Sequence, residues 1–204
     1  MPLCGGSDTP ITRKIVILGD GACGKTSLLN VFTKGYFPQV YEPTVWNRYD
    51  HDIYVDHKPM QLQLWDTAGQ EEFDRLRSFS YNDTHCIMLC FSVESRDSLE
   101  NAQTKWVGEI IDHCEGVQLV LVALKVDLRD QEDEDGLGPQ GTISYEEGLA
   151  VAKQVNASRY LECSAKMERG VREAFTEAAR VAMDATPKGA TIQNESKQKS
   201  CTIA

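Results

Sequence analysis

Apolar and polar positions follow two periodicities along the chain, and together they predict strands that alternate with helices. Residues 14–18 form a β-branched apolar run that ends at a glycine, which is typical of a buried parallel strand. A helix is expected to continue over 27–32, after a glycine-rich turn. Alternation at 52–55 and 61–65 predicts two adjacent strands joined at 56–59.

The rest of the chain continues the same alternation. Residues 86–91 and 117–124 predict two further buried strands. Two helical stripes of apolar residues are expected to pack on the sheet: Leu99, Ala102, Trp106 and Ile110, and then Val171, Ala174, Phe175, Ala178 and Ala182. This order predicts an α/β, doubly wound, mostly parallel six-stranded sheet with helices on both faces. Ligands of such sheets bind beyond the carboxyl ends of the strands.

A single domain is expected over residues 13–184, because 204 residues suit one α/β unit with some tail left over. A flexible extension over 1–12 would precede this domain, and a flexible tail over 185–204 would follow it. Residues 34–48 contain Gly35, Pro38 and Pro43 and predict a long loop. An acidic, glycine-rich stretch at about 130–143 is either a solvated surface loop or an insertion that contacts a partner.

Charge and cysteine usage exclude several classes of protein. The net charge of −10 repels polyanions, so no nucleic-acid partner is expected. Seven scattered cysteines without a C-x-x-C pair favour a reducing cytosolic compartment over a zinc site or a disulfide framework. The N-terminus lacks the regions of a signal peptide, and no apolar run approaches the roughly 18 residues of a membrane span. Any membrane contact is therefore expected to use an anchor.

A phosphate-binding motif follows the first predicted strand and precedes the first predicted helix, which is the context that such a motif requires. Its glycines let backbone N–H groups surround phosphate oxygens at a helix N-terminus. Lys25 is expected to reach the β- and γ-phosphates, and the Thr26 hydroxyl to ligate Mg²⁺. Cys23 is interpreted as a small filler or, alternatively, as a regulatory thiol. The expected nucleotide contacts are Gly19, Asp20, Gly21, Ala22, Cys23, Gly24, Lys25, Thr26 and Ser27.

A second phosphate element, Asp66-Thr67-Ala68-Gly69-Gln70, follows another strand. Asp66 can hold Mg²⁺ through water, and the Gly69 N–H can bind the γ-phosphate. Gln70 can orient the attacking water. Thr44, in the proline-containing loop, is a candidate second hydroxyl ligand for Mg²⁺.

Two short segments at strand ends indicate a guanine base. The Asp127 carboxylate can accept hydrogen bonds from guanine N1–H and from the 2-amino group together, a donor pair that adenine lacks. The stem of Lys125 can pack on the ring. Backbone N–H groups of Ser164, Ala165 and Lys166 can donate to guanine O6.

This ordered set of motifs resembles the Ras superfamily and, within it, the Rho family, over about residues 13–183. Residues 66–77 resemble the Rho switch II, and the acidic stretch falls where Rho proteins carry an insert helix. The whole sequence is most similar to the fungal Rho branch linked to polarised growth and secretion.

The resemblance implies a monomeric GTPase that binds GTP or GDP with Mg²⁺ and acts in cell polarity, actin organisation or exocytosis. It also implies that Phe37 flanks the guanine and that Tyr41 and Thr44 close over the γ-phosphate. Hydrolysis would be slow, because an activating protein supplies the arginine finger; Arg75 and Arg77 are expected to shape switch II. Exchange factors, activating proteins, dissociation inhibitors and effectors would bind through switch I and switch II.

Two parts of the sequence depart from the family pattern. Leu124 stands where the family has Asn or Thr, so a polar tether between the base loop and the phosphate loop is missing. Residues 45–49, Val-Trp-Asn-Arg-Tyr, replace the usual Val-Phe-Glu-Asn-Tyr of the effector loop. The first departure bears on nucleotide affinity, and the second bears on the choice of effector.

The C-terminal Cys201-Thr202-Ile203-Ala204 fits a C-a-a-X box loosely, and the terminal alanine favours a farnesyl group on Cys201. Stable anchoring usually takes two signals, so Cys4 is a candidate for palmitoylation. These anchors predict a location at the cytoplasmic face of the plasma membrane, with a cytosolic fraction.

Two alternatives to a hydrolysing switch remain. One is a binding scaffold that stays loaded with GTP; the presence of both Gly21 and Gln70 favours hydrolysis over this scaffold. The other is an ATP-using kinase with the same phosphate loop, and Asp127 argues against it.

Overall fold

The computed structural model describes residues 10–40, 42–129 and 141–185. A six-stranded sheet runs through these residues in the order β2-β3-β1-β4-β5-β6. Only the β2–β3 pair is antiparallel, and every other neighbouring pair is parallel. The predicted fold class is therefore confirmed. The strands are β1 (Ile11–Leu18), β2 (Trp46–Val55), β3 (Lys58–Thr67), β4 (Cys86–Ser92), β5 (Gln118–Leu124) and β6 (Arg159–Glu162).

Helices cover both faces of this sheet. Short 3₁₀ turns at Glu71–Phe73 and Val126–Arg129 join the elements, and a π turn at Ala102–Trp106 continues α3 into α4. The helices are α1 (Lys25–Lys34), α2 (Asp74–Ser78), α3 (Arg96–Asn101), α4 (Val107–Cys114), α5 (Tyr145–Gln154) and α6 (Val171–Met183).

Successive residues of β1 feed two separate hydrophobic clusters, because neighbouring side chains of a strand point to opposite faces. Ile15 and Ile17 pack with apolar residues of α1 and α6, including Phe175. Val16 and Leu18 pack in the other cluster with residues of α3, α4 and α5. The helical stripes that the sequence analysis identified as core are all buried, from Leu99 to Ile110 and from Val171 to Ala182.

The β2–β3 hairpin differs from its prediction. Its strands are joined by Asp56 and His57 alone, both with positive φ (48° and 66°), whereas residues 58 and 59 belong to β3. The loop after α1 ends before Trp46, where β2 begins. β2 lies at the edge of the sheet, and most of its residues 46–51 are exposed, so this half lacks the apolar-polar alternation of a half-buried strand.

Two further differences concern the start of β1 and helix α5. Residues 11 and 12 belong to β1, although the sequence analysis placed them in the flexible extension. Helix α5 was not predicted, although its start carries a readable signal: the Ser144 side chain accepts from the Glu147 N–H, and the Glu147 carboxylate accepts from the Ser144 N–H. This reciprocal pair is a capping box.

Candidate nucleotide-binding site

Loops that follow β1, β3, β5 and β6 meet at one edge of the sheet, together with the loop between α1 and β2. They enclose a cleft of about 870 Å³ and an adjoining pocket of about 220 Å³. A cleft of this size suits a small-molecule ligand. Residues of the cleft wall include Gly21, Ala22, Gly24, Lys25, Thr26, Ser27, Phe37, Thr44, Gly69, Gln70 and Lys125.

The phosphate-binding loop after β1 depends on backbone conformations that favour glycine. Gly19 has a φ of 136°, and a β-carbon on it would lie 2.1 Å from the carbonyl oxygen of Cys90. Gly24 has a φ of 111° and precedes α1 without any side-chain cap, so the first N–H groups of the helix are not capped by a side chain there. Such a helix start is suited to anions.

Lys25 lies across this loop and is buried. Its Nζ donates to the carbonyl oxygens of Gly19 and Asp20, both at 2.7 Å. The ammonium group is therefore held at the floor of the cleft, where the predicted phosphate contacts converge.

Three oxygen-bearing side chains meet beside Lys25. Thr26 Oγ1 donates to Asp66 Oδ2 at 2.8 Å, and the Oγ1 atoms of Thr26 and Thr44 share a hydrogen bond. Asp66 is fully buried, and its second oxygen, Oδ1, has no hydrogen-bond partner among the described residues. Burial raises the pKa of Asp66 to about 6, although the Thr26 hydrogen bond and the Lys25 charge lower it. Hydroxyl and carboxylate oxygens of this kind are the ligands that Mg²⁺ prefers.

Switch II, defined here as residues 68–78, begins directly against the phosphate loop. A β-carbon on Gly69 would lie 2.2 Å from Gly21 N and 2.4 Å from Asp20 C, so only glycine fits at this position. Atoms of the Gln70 side chain lie 3.6 Å from the position of a β-carbon on Gly21. The structure thus places Gly69 and Gln70 against the loop after β1, in the wall of the cleft.

Arg77 fixes the backbone of switch II by hydrogen bonds, which agrees with the structural role expected for it. Its buried guanidinium donates to Ala68 O at 2.8 Å and to Gln70 O at 3.4 Å. It also donates to both carboxylate oxygens of Glu109, at 2.7 and 3.0 Å. Because Glu109 belongs to α4, switch II is tied to that helix.

The adjoining pocket has the features expected of a base site. It is lined by Phe37, Leu124, Asp127, Ala165 and Lys166, among others. Ser164 Oγ donates to Asp127 Oδ1, which orients that carboxylate. Ser164 Oγ also accepts from the Met167 N–H at 3.1 Å, so the loop after β6 is fixed to the loop after β5.

Lys125 has a positive φ of 62°, and its Nζ donates to Glu94 at the wall of the same pocket. The preceding Leu124 replaces the polar tether of the family with an apolar contact. Its Cδ1 lies 3.6 Å from the position of a β-carbon on Gly24, and the side chain is 3% exposed.

The second departure from the family pattern forms a small aromatic cluster beside switch II. Trp46 packs edge to face on Trp65, with ring centroids 5.3 Å apart, and its Nε1 donates to Ser80 Oγ at 3.2 Å. Arg48 pairs with Asp50 on the exposed edge strand. Trp46 is therefore anchored by both its ring and its N–H.

Sequence reasoning missed three residues that support this site: Glu94, Asn101 and Trp106. Asp20 Oδ2 accepts from Asn101 Nδ2 at 2.8 Å, and Asp20 Oδ1 accepts from Trp106 Nε1 at 2.7 Å. No local motif signals these contacts, because the partners stand more than 80 positions apart in the chain. Trp106 was identified only as a core residue.

Burial decides between the two interpretations of Cys23. The side chain is 2% exposed, and burial raises the pKa of its thiol, which disfavours the reactive thiolate. Cys86, Cys90 and Cys163 are buried as well. Cys23 is thus better explained as a small apolar filler.

Several predicted features lie outside the described residues. They are Tyr41, Cys4, Cys201, most of the acidic stretch at 130–143 and the tail from residue 186 onward. Within the described residues, none of the helices has the length and apolarity that crossing a membrane requires.

Comparison with known proteins agrees with this geometry. A model of the Ras family matches residues 14–184. The chain is 66% identical to the GTP-binding protein RHO3 of Eremothecium gossypii, with 100% of both chains covered. It is 62% identical to the GTP-binding protein RHO3 of Saccharomyces cerevisiae over 98% of each chain, and 65% identical to the GTP-binding protein rho3 of Schizosaccharomyces pombe over 100% of each. The chain therefore belongs to the Ras family of small GTPases, and its closeness to Rho-type GTP-binding proteins confirms the resemblance inferred from its motifs.

Proposed function

We propose that this chain is a switch that binds GTP with Mg²⁺ in the cleft and cleaves it slowly to GDP and phosphate. The observation that carries the proposal is the contact of Gly69 and Gln70 with the phosphate loop, beside Lys25 and the Thr26–Thr44–Asp66 oxygens. The residues that we assign to the phosphates and to Mg²⁺ line the cleft, and the pocket that we assign to the base adjoins it.

Guanine is selected by Asp127. Its carboxylate accepts hydrogen bonds from N1–H and the 2-amino group, and Ser164 holds it in place for both. Backbone N–H groups of Ala165 and Lys166 donate to O6, whereas the Ser164 N–H is already bonded to Arg169 O at 2.9 Å. Phe37 and the stem of Lys125 cover the ring faces. A base site that relies on buried polar pairs rejects analogues that leave those groups unpaired.

The donor set fits Mg²⁺, because it combines two hydroxyls with a buried carboxylate that has an unpartnered oxygen. Thr26 and Thr44 would ligate the ion directly, and Asp66 would do so through water. When bound, the ion supplies positive charge against the β- and γ-phosphate oxygens. Lys25 supplies a further positive charge from the floor of the cleft.

Gln70 orients a water molecule for in-line attack on the γ-phosphorus, and the Gly69 N–H binds a γ-phosphate oxygen. The attack forms a P–O bond to water and breaks the bond to the β-phosphate oxygen, which leaves on GDP. No arginine lines the cleft or the base pocket among the described residues, and Arg77 is bound to Glu109. Slow intrinsic hydrolysis follows, since an arginine finger supplied in trans is worth about 10³- to 10⁵-fold.

Cleavage releases residues 37–46 and 68–78, because their contacts to the γ-phosphate end are lost. Both segments present exposed apolar side chains, namely Val40, Val45, Trp46 and Leu76. Exposed apolar groups grouped in this way favour protein partners. We assign effectors, exchange factors, activating proteins and dissociation inhibitors to this surface. The signal would act in cell polarity, actin organisation or exocytosis.

A lipid anchor at Cys201, with a second one at Cys4, would hold the chain at the cytoplasmic face of the plasma membrane. Fractionation of cells that express Cys201→Ser and Cys4→Ser variants tests each anchor separately. Cys201→Ser should move the protein to the cytosol, and Cys4→Ser should lower the membrane-bound fraction. A Cys4→Ser protein that stays fully membrane-bound removes the second anchor from the proposal.

Single-turnover phosphate release from labelled GTP or ATP tests the central proposal. The purified chain should bind GTP but not ATP and should release phosphate slowly with Mg²⁺, and Gln70→Leu should release it more slowly still. Gln61→Leu, which makes the same change within β3 and outside the lining of the cleft, is the control and should behave like the parent chain. If GTP binds and no phosphate is released, even with a Rho-type activating domain, the GTP-loaded scaffold replaces this proposal.

A further inference from the structure

The Asp20 carboxylate in the phosphate loop accepts hydrogen bonds from a segment at the junction of α3 and α4. This segment does not contact the nucleotide in the proposed function. Asn101 and Trp106 donate to its two oxygens at 2.8 and 2.7 Å. These donors stand five positions apart, at the two ends of the π turn Ala102–Trp106. Residues five apart diverge around a regular α-helix, whereas the wider π turn brings them to one side. The irregular turn therefore allows both donors to reach one carboxylate.

The same Trp106 side chain also supports switch II. The guanidinium carbon of Arg77 lies 4.8 Å from the centre of the Trp106 ring. Arg77 in turn holds the carbonyl oxygens of Ala68 and Gln70, which flank Gly69. One indole thus contacts the phosphate loop with its N–H and the anchor of switch II with its ring face.

The Trp106–Asp20 hydrogen bond and the Trp106–Arg77 contact support the two sides of one backbone contact, between Gly69 and the phosphate loop. Gly69 lies against the peptide that joins Asp20 to Gly21, at 2.4 Å and 2.2 Å from the position of its missing β-carbon. In the described part of the chain, neither a hydrogen bond nor an ion pair joins Asp20 to Arg77 directly. Trp106 is the side chain that touches both.

We propose that Trp106 is a positioning residue that couples the phosphate loop to switch II, and so places Gln70 relative to the phosphate loop. This inference rests on the proposed function, in which Gln70 orients the attacking water. The indole N–H fixes the Asp20–Gly21 peptide on one side of the Gly69 contact. The ring fixes Arg77, and through it the Ala68 and Gln70 carbonyls, on the other side.

A purely structural role would leave Trp106 as a buried filler, since it is 0% exposed. Trp106→Phe separates the two roles, because phenylalanine keeps an aromatic ring but removes the N–H that Asp20 accepts. Trp65→Phe is a matched control: the Trp65 Nε1 atom is buried and has no hydrogen-bond partner among the described residues. Asp20→Ala removes the same bond from its other end.

Three measurements on the full chain test the coupling. With labelled GTP, Trp106→Phe should hydrolyse about tenfold more slowly, which corresponds to the loss of one hydrogen bond to a charged group. Its Kd for GDP should stay within about twofold of the parent value, because the Gly69 contact that this bond supports is proposed to serve the γ-phosphate, which GDP lacks. With a non-hydrolysable GTP analogue bound, amide hydrogen exchange over residues 68–78 should be faster than in the parent chain and the Trp65→Phe control.

A double variant that combines Asp20→Ala with Trp106→Phe tests whether both changes act through the same hydrogen bond. Because Trp106→Phe and Asp20→Ala remove the same bond, Trp106→Phe should add no further loss of rate in the Asp20→Ala background. If the two losses multiply, or if Trp106→Phe matches Trp65→Phe in both rate and hydrogen exchange, the coupling is wrong. Failure of the proposed function looks different: the parent chain would then release no phosphate, while the exchange of residues 68–78 would still respond to Trp106→Phe.

Discussion

Gly69 of switch II lies directly on Gly21 of the phosphate loop: a β-carbon on Gly69 would be 2.2 Å from the Gly21 nitrogen. No side chain separates the two backbones at this point. The proposed hydrolysis depends on this proximity, because it brings the Gly69 N–H and the Gln70 side chain to the phosphate end of the cleft.

Gly69→Ala should therefore push switch II away from the phosphate loop. The hydrolysis rate should fall by about 10²-fold or more, as when a preorganised backbone donor is removed from a reacting group. GDP affinity should change far less, because GDP lacks the γ-phosphate that Gly69 is proposed to bind. Single-turnover hydrolysis and GDP titration measure the two effects. Gly108→Ala, at a helix position where nothing lies within 4 Å of the new carbon, is the control. A Gly69→Ala protein with the parent rate contradicts the assignment.

Asp127→Asn should change the preferred base. The amide cannot accept from both the N1–H and the 2-amino group of guanine, so GDP affinity should fall by about 10²-fold or more. Xanthine carries a carbonyl oxygen at the position of the 2-amino group, and the Asn amide can donate to it. Titration with GDP and with xanthosine diphosphate should show the reversal, and the exposed Asp112→Asn should show none. Unchanged GDP affinity in Asp127→Asn would place the base elsewhere.

Two helical glycines should respond oppositely to alanine. A β-carbon on Gly148 would lie 2.0 Å from the Tyr160 hydroxyl, which donates to Glu162 at 2.6 Å. Gly148→Ala should lower the free energy of unfolding by about 1–3 kcal/mol, because the ring must move in a packed site. Gly108→Ala should raise it by up to about 1 kcal/mol, through helix propensity alone. Denaturant titration of both proteins with saturating GDP checks the pair, and an equal response of both glycines would contradict the clash at Tyr160.

His85 should make stability depend on pH. Its Nδ1 accepts from the Lys14 N–H at 3.2 Å, which requires the neutral ring. Burial lowers the pKa of His85 most, and the charges of Arg13 and Lys14 lower it further. Asp83 raises it, but the pKa stays below 6.5. Because the unfolded chain then binds more protons, this contribution is complete above pH 6.5 and is lost as the pH falls below 6.5 through the folded pKa.

Comparison of the chain with His85→Gln at pH 7.5, 6.5 and 5.5 tests this expectation. The difference in free energy of unfolding between the two proteins should shift against the parent chain as the pH falls. His57→Gln, on the exposed turn between β2 and β3, is the control. A difference that stays constant over this range contradicts the neutral-acceptor role of His85.

Most of the chemistry of the site could be inferred from contiguous residues. The phosphate loop, the Asp66–Gln70 segment and the Asp127 segment each follow a strand whose apolar run is visible in the sequence. Once strands and helices alternate, parallel strands bring their carboxyl ends to one edge. The fold class and the grouping of these motifs followed from that rule, without knowledge of any side-chain contact.

Elements whose signal is weak or absent escaped prediction. The outer half of β2 lies on an exposed edge, where no buried face imposes alternation on the sequence. Helix α5 buries only Gly148, Val151 and Ala152, so its apolar stripe is weak, and its clear mark is the capping box at Ser144 and Glu147.

The sequence by itself thus determined the fold class, the family and the chemical groups of the nucleotide site. Only the tertiary structure decided which distant residues hold those groups in place. Asp20 lies 86 positions from Trp106, and Lys125 lies 31 from Glu94. The chemistry of a phosphate loop is local and is written in consecutive residues. Its support depends on which side chains the packing of helix on sheet brings together, and that is a property of the folded chain.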